Sequence, residues 1–405
     1  GGMNMKNIPE IRLKGFEGEW KVTSLESVSK DCSYGVGAEA ISFDGQNKYI
    51  RITDINDETR EYCPKPFVSP SFFNSNYQVK ENDILFARTG ASVGKTYLYK
   101  KSDGILYYAG FLIKMNISEA DSKFVFLQTL RKQYYDWINS ESKRSGQPGI
   151  NLQQLKTYKF LSSSFIEQQA ISTFFQNLDN LITEQKNKLE NLQKVKKSML
   201  CKMFPKEGQK VPEIRFKGFE GDWGEKRFEN LYEHHTIKND GTFGLDKVIS
   251  VASMYLKNEV SISDKGYLKT YNIFKLGDIA FEGNKSKHFA HGRFVENTIG
   301  RGIVSHVFEV FSPIMEQYDI NFWKYLINNE NVMGSILMRS TKASTMMTNL
   351  VVNDFLKEKI LLPSYEEQKL IGGYLYKIDC LIFQENNFYK RISHIKQSLL
   401  SKMFV

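Results

Sequence analysis

Ile8-Pro-Glu-Ile-Arg-Leu-Lys-Gly-Phe-Glu-Gly-Glu-Trp20 returns about 200 residues later as Val211-Pro-Glu-Ile-Arg-Phe-Lys-Gly-Phe-Glu-Gly-Asp-Trp223, with ten of 13 positions identical. The ends of the two halves match as well: residues 165–204 align without a gap on residues 365–404. Between these shared borders the halves diverge. A constant frame around two unlike inserts implies one task done twice, on two different targets.

The chain has 405 residues, enough for two or three domains with real cores. Its 41% hydrophobic and 25% charged fractions are ordinary for a globular protein. No apolar run approaches the roughly 20 residues of a membrane span, and no signal peptide is expected; Gly1-Gly2 ahead of Met3 reads as a cloning remnant. Cys32, Cys63, Cys201 and Cys380 form no CxxC pair, so reduced thiols in a cytoplasmic protein are expected. The net charge of +9 favours a polyanionic partner, because Lys and Arg gain by displacing counterions from phosphates.

The borders read as helices. Ser164-x-x-Glu167 and Ser364-x-x-Glu367 are capping boxes, in which Ser takes an N3 amide and Glu reaches back to the cap amide. No Pro or Gly interrupts residues 165–204, and Pro205 and Gly208 end the run. The copy carries Gly372-Gly373, a local weakness. The apolar spacing is heptad-like. One seam runs through Ile171, Phe175, Leu178, Ile182, Gln185, Leu189, Leu192, Lys196, Met199 and Met203. Its copy uses Ile371, Leu375, Ile378, Ile382, Glu385, Tyr389, Ile392, Lys396, Leu399 and Met403. The polar breaks fall at matching positions, 185/385 and 196/396; such breaks set register and partner at some cost in stability. Helices about 60 Å long cannot bury such seams alone, so the two should pack on each other. Met199, Met203, Phe204 and their copies are expected to pack in that seam, and the basic run Lys194, Lys196, Lys197, Lys202 and Lys206 to form a solvated face.

The inserts share fainter landmarks. Lys80-Glu-Asn-Asp83-Ile-Leu-Phe86 resembles Lys275-Leu-Gly-Asp278-Ile-Ala-Phe281, and Phe126-Leu-Gln-Thr-Leu130 resembles Phe322-Trp-Lys-Tyr-Leu326 on helical spacing. Short β-rich runs surround them, as at residues 84–86, 95–99 and 303–311. Each insert reads as a mixed α/β globule of about 150 residues. The fold class expected is α+β: two such globules separated by two long antiparallel coiled-coil-like helices, with a pseudo-twofold internal repeat.

The catalytic inventory is nearly empty. Thr89-Gly-Ala-Ser-Val-Gly94-Lys95-Thr96 has its first Gly one position too late for a P-loop and leads into β-type residues, which excludes nucleotide hydrolysis there. Asp278, Glu282 and Lys285 have the wrong spacing for a nuclease cluster. His288 and His291 lack further ligands for a metal. No methyltransferase box, nucleophile elbow or Cys/His pairing is evident.

Four loops suit DNA better. A Gly-rich turn holds Arg88, Thr89, Gly90, Ser92 and Lys95; a second loop holds Lys143, Arg144 and Gln147; its counterpart holds Arg339, Lys342, Ser344 and Thr345. A basic loop in the second half adds Lys285, Lys287, His291 and Arg293. Arg and Lys suit guanine edges and phosphates, Gln suits adenine, and Ser or Thr suits either. Any one of these residues could equally lie in an ordinary polar loop.

Taken together, these motifs closely resemble the specificity subunit of type I restriction–modification systems. Carrying the resemblance are residues 9–20 and their copy, Asp83-Ile-Leu-Phe-Ala-Arg-Thr-Gly90, and the helix starts Phe165-Ile-Glu-Gln168 and Leu362-Pro-Ser-Tyr-Glu-Glu-Gln368. The first start departs from the family with Ser162-Ser163 in place of Leu-Pro, and the second half lacks an Arg-Thr-Gly after Asp278. The resemblance implies a target recognition domain over 1–164, a conserved spacer helix over 165–205, a second recognition domain over 206–363 and a second spacer helix over 364–405.

It further implies that each domain reads one half of a split, asymmetric double-stranded DNA site. The helices set the unread gap and dock two methyltransferase subunits, and two restriction/translocase subunits join that core. Adenine methylation and ATP-dependent cleavage, with S-adenosylmethionine, ATP and Mg, belong to the partners; this chain binds no cofactor of its own. Half-sites about one helical turn, roughly 34 Å, apart are expected. Two other readings stay open: a divergent nuclease or methyltransferase in one half, and a coiled-coil scaffold that reads no sequence.

Overall fold

The computed structural model describes residues 7–143, 148–257, 265–343 and 347–405. They form two compact units, Gly1–Gln185 with Phe388–Val405, and Lys186–Asn387. The two long helices, Phe165–Lys202 and Tyr365–Lys402, are each unbroken for 38 residues, and each contributes one end to either unit.

Both units follow one plan. In the first, a four-stranded antiparallel sheet runs in the order Ser29–Tyr34, Leu112–Ile117, Asp83–Ala87, Thr96–Leu98. In the second, the order is Tyr232–His235, Glu309–Pro313, Ile279–Glu282, Arg293–Glu296. Period-2 alternation splits each central strand between two cores. Ile84 and Phe86 face the helical side with Phe124, Leu127 and Phe175, whereas Leu85 and Ala87 face Tyr97 and Leu112. Ile279 and Phe281 divide from Ala280 in the same way. The strand Lys21–Ser24 pairs antiparallel with Lys159–Ser162, and Gly224–Arg227 with Lys359–Leu362, so each insert starts and ends side by side.

The repeated opening motif is a clasp. Arg12 makes a bidentate pair with Glu167, 2.8 Å on both arms, and donates onward to the Gly18 and Glu17 carbonyls. Glu167 is buried. Ile11 N–H bonds the Lys402 carbonyl at the end of the other helix, and Trp20 packs on Phe404. The second unit repeats the clasp: Arg215 grips Glu367 and donates to the Gly221 carbonyl, Ile214 bonds the Lys202 carbonyl, and Trp223 packs on Phe204.

Two expectations change here. Glu167 and Glu367 do not complete the capping boxes: Ser164 and Ser364 take the N3 amides at 3.4 Å, and the carboxylates go to the arginines. An arginine fork is a stronger partner for a carboxylate than a neutral amide. Met203 and Phe204 share a core of the second unit with Ile371 and Leu375 of the other long helix, and Phe204 also packs on Phe322 and Trp223. Gly372 is also no weakness. A Cβ there would lie 2.4 Å from Phe322 N, so Gly lets the long helix press onto the start of the helix Ile320–Ile327. The first half meets the same need with Ser172, which donates to the Asp121 cap.

The other seam positions, Leu178, Ile182, Leu189, Leu192, Ile371, Leu375, Ile378, Ile382, Tyr389 and Ile392, are buried or half-buried, as are Ile171 and Phe175. The break at 196/396 is an ion-pair station. Lys396 lies 2.6 Å from Asp179 in the first unit, and Lys196 lies 2.5 Å from Asp379 in the second. Lys123 joins the first pair; Lys324 and the Tyr325 hydroxyl join the second. Within each unit the partners run in opposite directions along the helices: 175 meets 404 and 179 meets 396, while 188 meets 385 and 196 meets 379. Burial pulls the Asp179 carboxyl upward, but Lys123 and Lys396 outweigh it and hold its pKa below the ordinary value.

Arg12→Ala leaves Glu167 as a buried, unpaired carboxylate and should cost about 3–5 kcal/mol in urea unfolding. Arg12→Lys should recover only part, because one ammonium cannot reproduce the fork. The Asp179 pairs stabilise the fold fully above the unfolded carboxylate value, and that contribution should vanish as pH falls through the lower folded pKa. Asp179→Asn should therefore be less stable than the parent at pH 7 and differ little from it near pH 2, read by thermal denaturation across pH.

Candidate nucleic-acid interface

The loops singled out from sequence are joined in pairs. In the first unit, the turn after the strand Asp83–Ala87 lies against residues 148–150, just ahead of the short helix Leu152–Lys156. Thr89 bridges Gly149, Gly90 N–H bonds the Pro148 carbonyl at 3.1 Å, and Ile150 N–H bonds the Arg88 carbonyl at 2.9 Å. In the second unit, the loop after Ile279–Glu282 meets the equivalent segment. Asn284 bridges Met347, and Thr348 donates from N–H and Oγ to the Gly283 carbonyl and again from Oγ to the His291 carbonyl. A Cβ on Gly283 would lie 2.1 Å from the Thr348 carbonyl, which explains Gly at this crossing.

Backbone pairing of this kind brings side chains from distant parts of the sequence to one edge. Thr89 and Ser92 are half-exposed there and Gly90 is exposed. Arg88 stacks its guanidinium 5.1 Å from the Tyr34 ring centre and donates to the Gly110 carbonyl, which fixes its direction. Lys143 stands exposed at the end of the helix Lys132–Ser142. Lys285 and Lys287 are exposed on the second unit's loop, His291 is half-exposed, and Lys342 is exposed on the strand Thr341–Ala343. Arg144, Gln147, Ser344 and Thr345 lie outside the described residues.

Three basic residues are committed elsewhere. Lys95 is 6% exposed; its ammonium donates to the Ile55 carbonyl at 3.0 Å and pairs with Asp57 at 2.6 Å. It is an internal strut, because a buried ammonium must keep its partners, and it is not free for DNA. Arg293 binds Glu282 and the Ala252 carbonyl, and Arg339 forms a forked pair with Glu358. The sequence reading missed these neutralising acids and Tyr34, because each lies far from its partner along the chain. The turn at Gly90–Ser92 leads into the strand Thr96–Leu98, the wrong setting for a phosphate loop. Among the described residues, no group of three or more His, Cys, Asp or Glu could hold a metal ion.

With this geometry in place, residues 17–193 match the family described as the type I restriction modification DNA specificity domain. That match places the family's domain in the first half of the chain. It is 24% identical over 355 residues to the type I restriction enzyme MjaVIII specificity subunit of Methanocaldococcus jannaschii, covering 81% of this chain and 79% of the relative. Its fold is similar to the crystal structure of the type I restriction-modification S subunit from M. genitalium: TM-score 0.62, 15% identity, 98% of this chain and 99% of that one. A chain from a structural study of complex assembly and conformational transition of the type I R-M system gives TM-score 0.53 at 12% identity, covering 95% and 97%. The protein is a specificity subunit of a type I restriction–modification system, and no helix among the described residues is long and apolar enough to cross a membrane.

The second unit's sheet holds a buried acid, Glu296, opposite Ile279 at the far end of the hairpin from the loop. Burial pushes Glu296 up to about 9, and its carboxyl meets the Tyr318 hydroxyl. The folded carboxyl stays protonated where the unfolded one ionises, so its stabilisation is full below about pH 4.3 and falls as pH rises toward 9. Glu296→Gln should shrink the drop in melting temperature between pH 5.5 and 8.5; an unchanged drop would contradict this assignment.

For the interface itself, Lys143→Ala, Lys287→Ala and Lys342→Ala should each lower the salt dependence of DNA binding by about one unit of slope in the assembled complex. Lys95→Ala should instead lower the melting temperature.

Proposed function

We propose that each recognition unit reads one half of a bipartite, asymmetric double-stranded DNA site, and that this chain performs no chemistry itself. The observation that carries this reading is the same pair of joined loops at the same sheet edge in both units, built from different residues. Identical backbone scaffolds with unlike side chains suit two different half-sites. The long helices set the gap between half-sites and dock two methyltransferase subunits; two restriction/translocase subunits complete the assembly. Adenine methylation from S-adenosylmethionine and ATP- and Mg-dependent cleavage fall to those partners, in the cytoplasm.

Mapping modified bases in cells that express this chain with its methyltransferase partner tests the reading. A split motif with a constant gap is expected. Modification without sequence preference would favour a scaffold, and methyl transfer or cleavage by the chain alone would favour an enzyme. Deleting one heptad from both long helices, at matched positions, should shorten the preferred gap; an unchanged gap would refute the spacer role.

A further inference from the structure

We propose that Phe111 in the first unit and Val307 in the second are base-contacting residues, each packing on a thymine C5-methyl in the major groove. The inference rests on the reading that each unit binds one half-site.

The Asp83–Ala87 strand pairs with Leu112–Ile117, and the register continues past both ends: Arg88 N–H bonds the Phe111 carbonyl at 3.0 Å. Phe111 is therefore the direct neighbour of the turn that joins residues 88–92 to 148–150. Its ring is 60% exposed, while the next residue, Leu112, is fully buried. The turn that presents it is held on every side. Leu112 N–H bonds the Ala109 carbonyl, Ala109 N–H the Ile50 carbonyl, Gly35 N–H the Leu112 carbonyl, and Val36 N–H the Tyr108 carbonyl. Arg88 Nε closes on the Gly110 carbonyl at 3.1 Å. A Cβ on Gly35 would lie 2.1 Å from the Ala109 carbonyl, so the backbones meet as closely as chemistry allows.

The second unit has the same device with different residues. The register from Ile279↔Phe311 to Phe281↔Glu309, carried two steps further, sets Gly283 opposite Val307. Gly283 is the residue that receives Thr348 at the loop crossing, so Val307 stands where Phe111 stands. Val307 is 63% exposed. Its turn is closed by Phe308 N–H to the Ser305 carbonyl and by Asn272 Nδ2 to the Phe308 carbonyl.

An apolar side chain held out on a rigid turn contributes little to its own fold. Phe can wedge into a base step, but Val is too small to do so. Contact with a thymine methyl suits both, and it gives sequence preference without a hydrogen bond.

The test uses the complex with its partner methyltransferase and duplexes carrying its mapped site, with each thymine replaced in turn by uracil, which lacks the methyl. Loss of one buried methyl is expected to weaken wild-type binding about fourfold at one thymine in each half-site. Phe111→Ala should abolish the effect in the first half-site only, and Val307→Ala in the second only. Phe111→Leu, which stays apolar, should retain it. A uracil effect that persists in Phe111→Ala overturns the proposal, as does its absence from the wild type at every thymine of a site that is still bound selectively. Failure of folded Phe111→Ala to join the complex also overturns it, since Phe111 would then face a protein partner. Wild-type binding without sequence preference would instead overturn the underlying half-site reading.

Discussion

The fold depends on a carboxylate held in the dark by an arginine fork. Glu167 and Glu367 sit in the first turns of the two long helices, buried, and each is gripped by an arginine about 150 residues earlier in the chain. The same short motif closes on the far end of the opposite helix through Ile11 or Ile214 and through Trp20 or Trp223. One clasp per unit therefore ties together three places: the start of the insert, the start of one helix and the end of the other. A buried charge tolerates only a partner of matching geometry, so the motif cannot drift without releasing all three.

That constraint leaves the reading edge free to vary. The loops at the edge are joined by main-chain groups: Thr89 to Gly149, Gly90 to Pro148, Asn284 to Met347 and Thr348 to Gly283. Every residue type supplies the same main-chain N–H and carbonyl, Pro's missing donor aside. Side chains can then change with the target while the scaffold stays put. The limits appear where backbones cross most closely, at Gly35 and Gly283, where no side chain fits.

Much of this was legible in the sequence and some was not. The helices at 165 and 365, the Asp83 and Asp278 strands and the helices around 126 and 322 stand where local pattern put them. The loops bearing candidate contacts were also legible, since Gly and basic residues mark them. The fate of individual cations was not. Lys95 reads as a loop lysine beside Gly94, yet carbonyls of residues 52 and 55 and the carboxylate of Asp57 enclose it. Arg293 and Arg339 read as free and are paired. Local sequence carries no record of which acid folds back onto a given base.

The sequence by itself determined the frame: a repeat of about 200 residues, matched helix borders, a seam with polar breaks at the same two places and a basic balance. Periodicity and capping are local properties, so they survive translation into a string. Only the tertiary structure decided what the individual residues do. It turned Glu167 from a helix cap into half of a buried ion pair, and Gly372 from a weak point into a close crossing. It also placed Phe111 and Val307 at matching turns despite their unlike chemistry. These assignments rest on which distant atoms meet, and burial and ion pairing are settled only when they do.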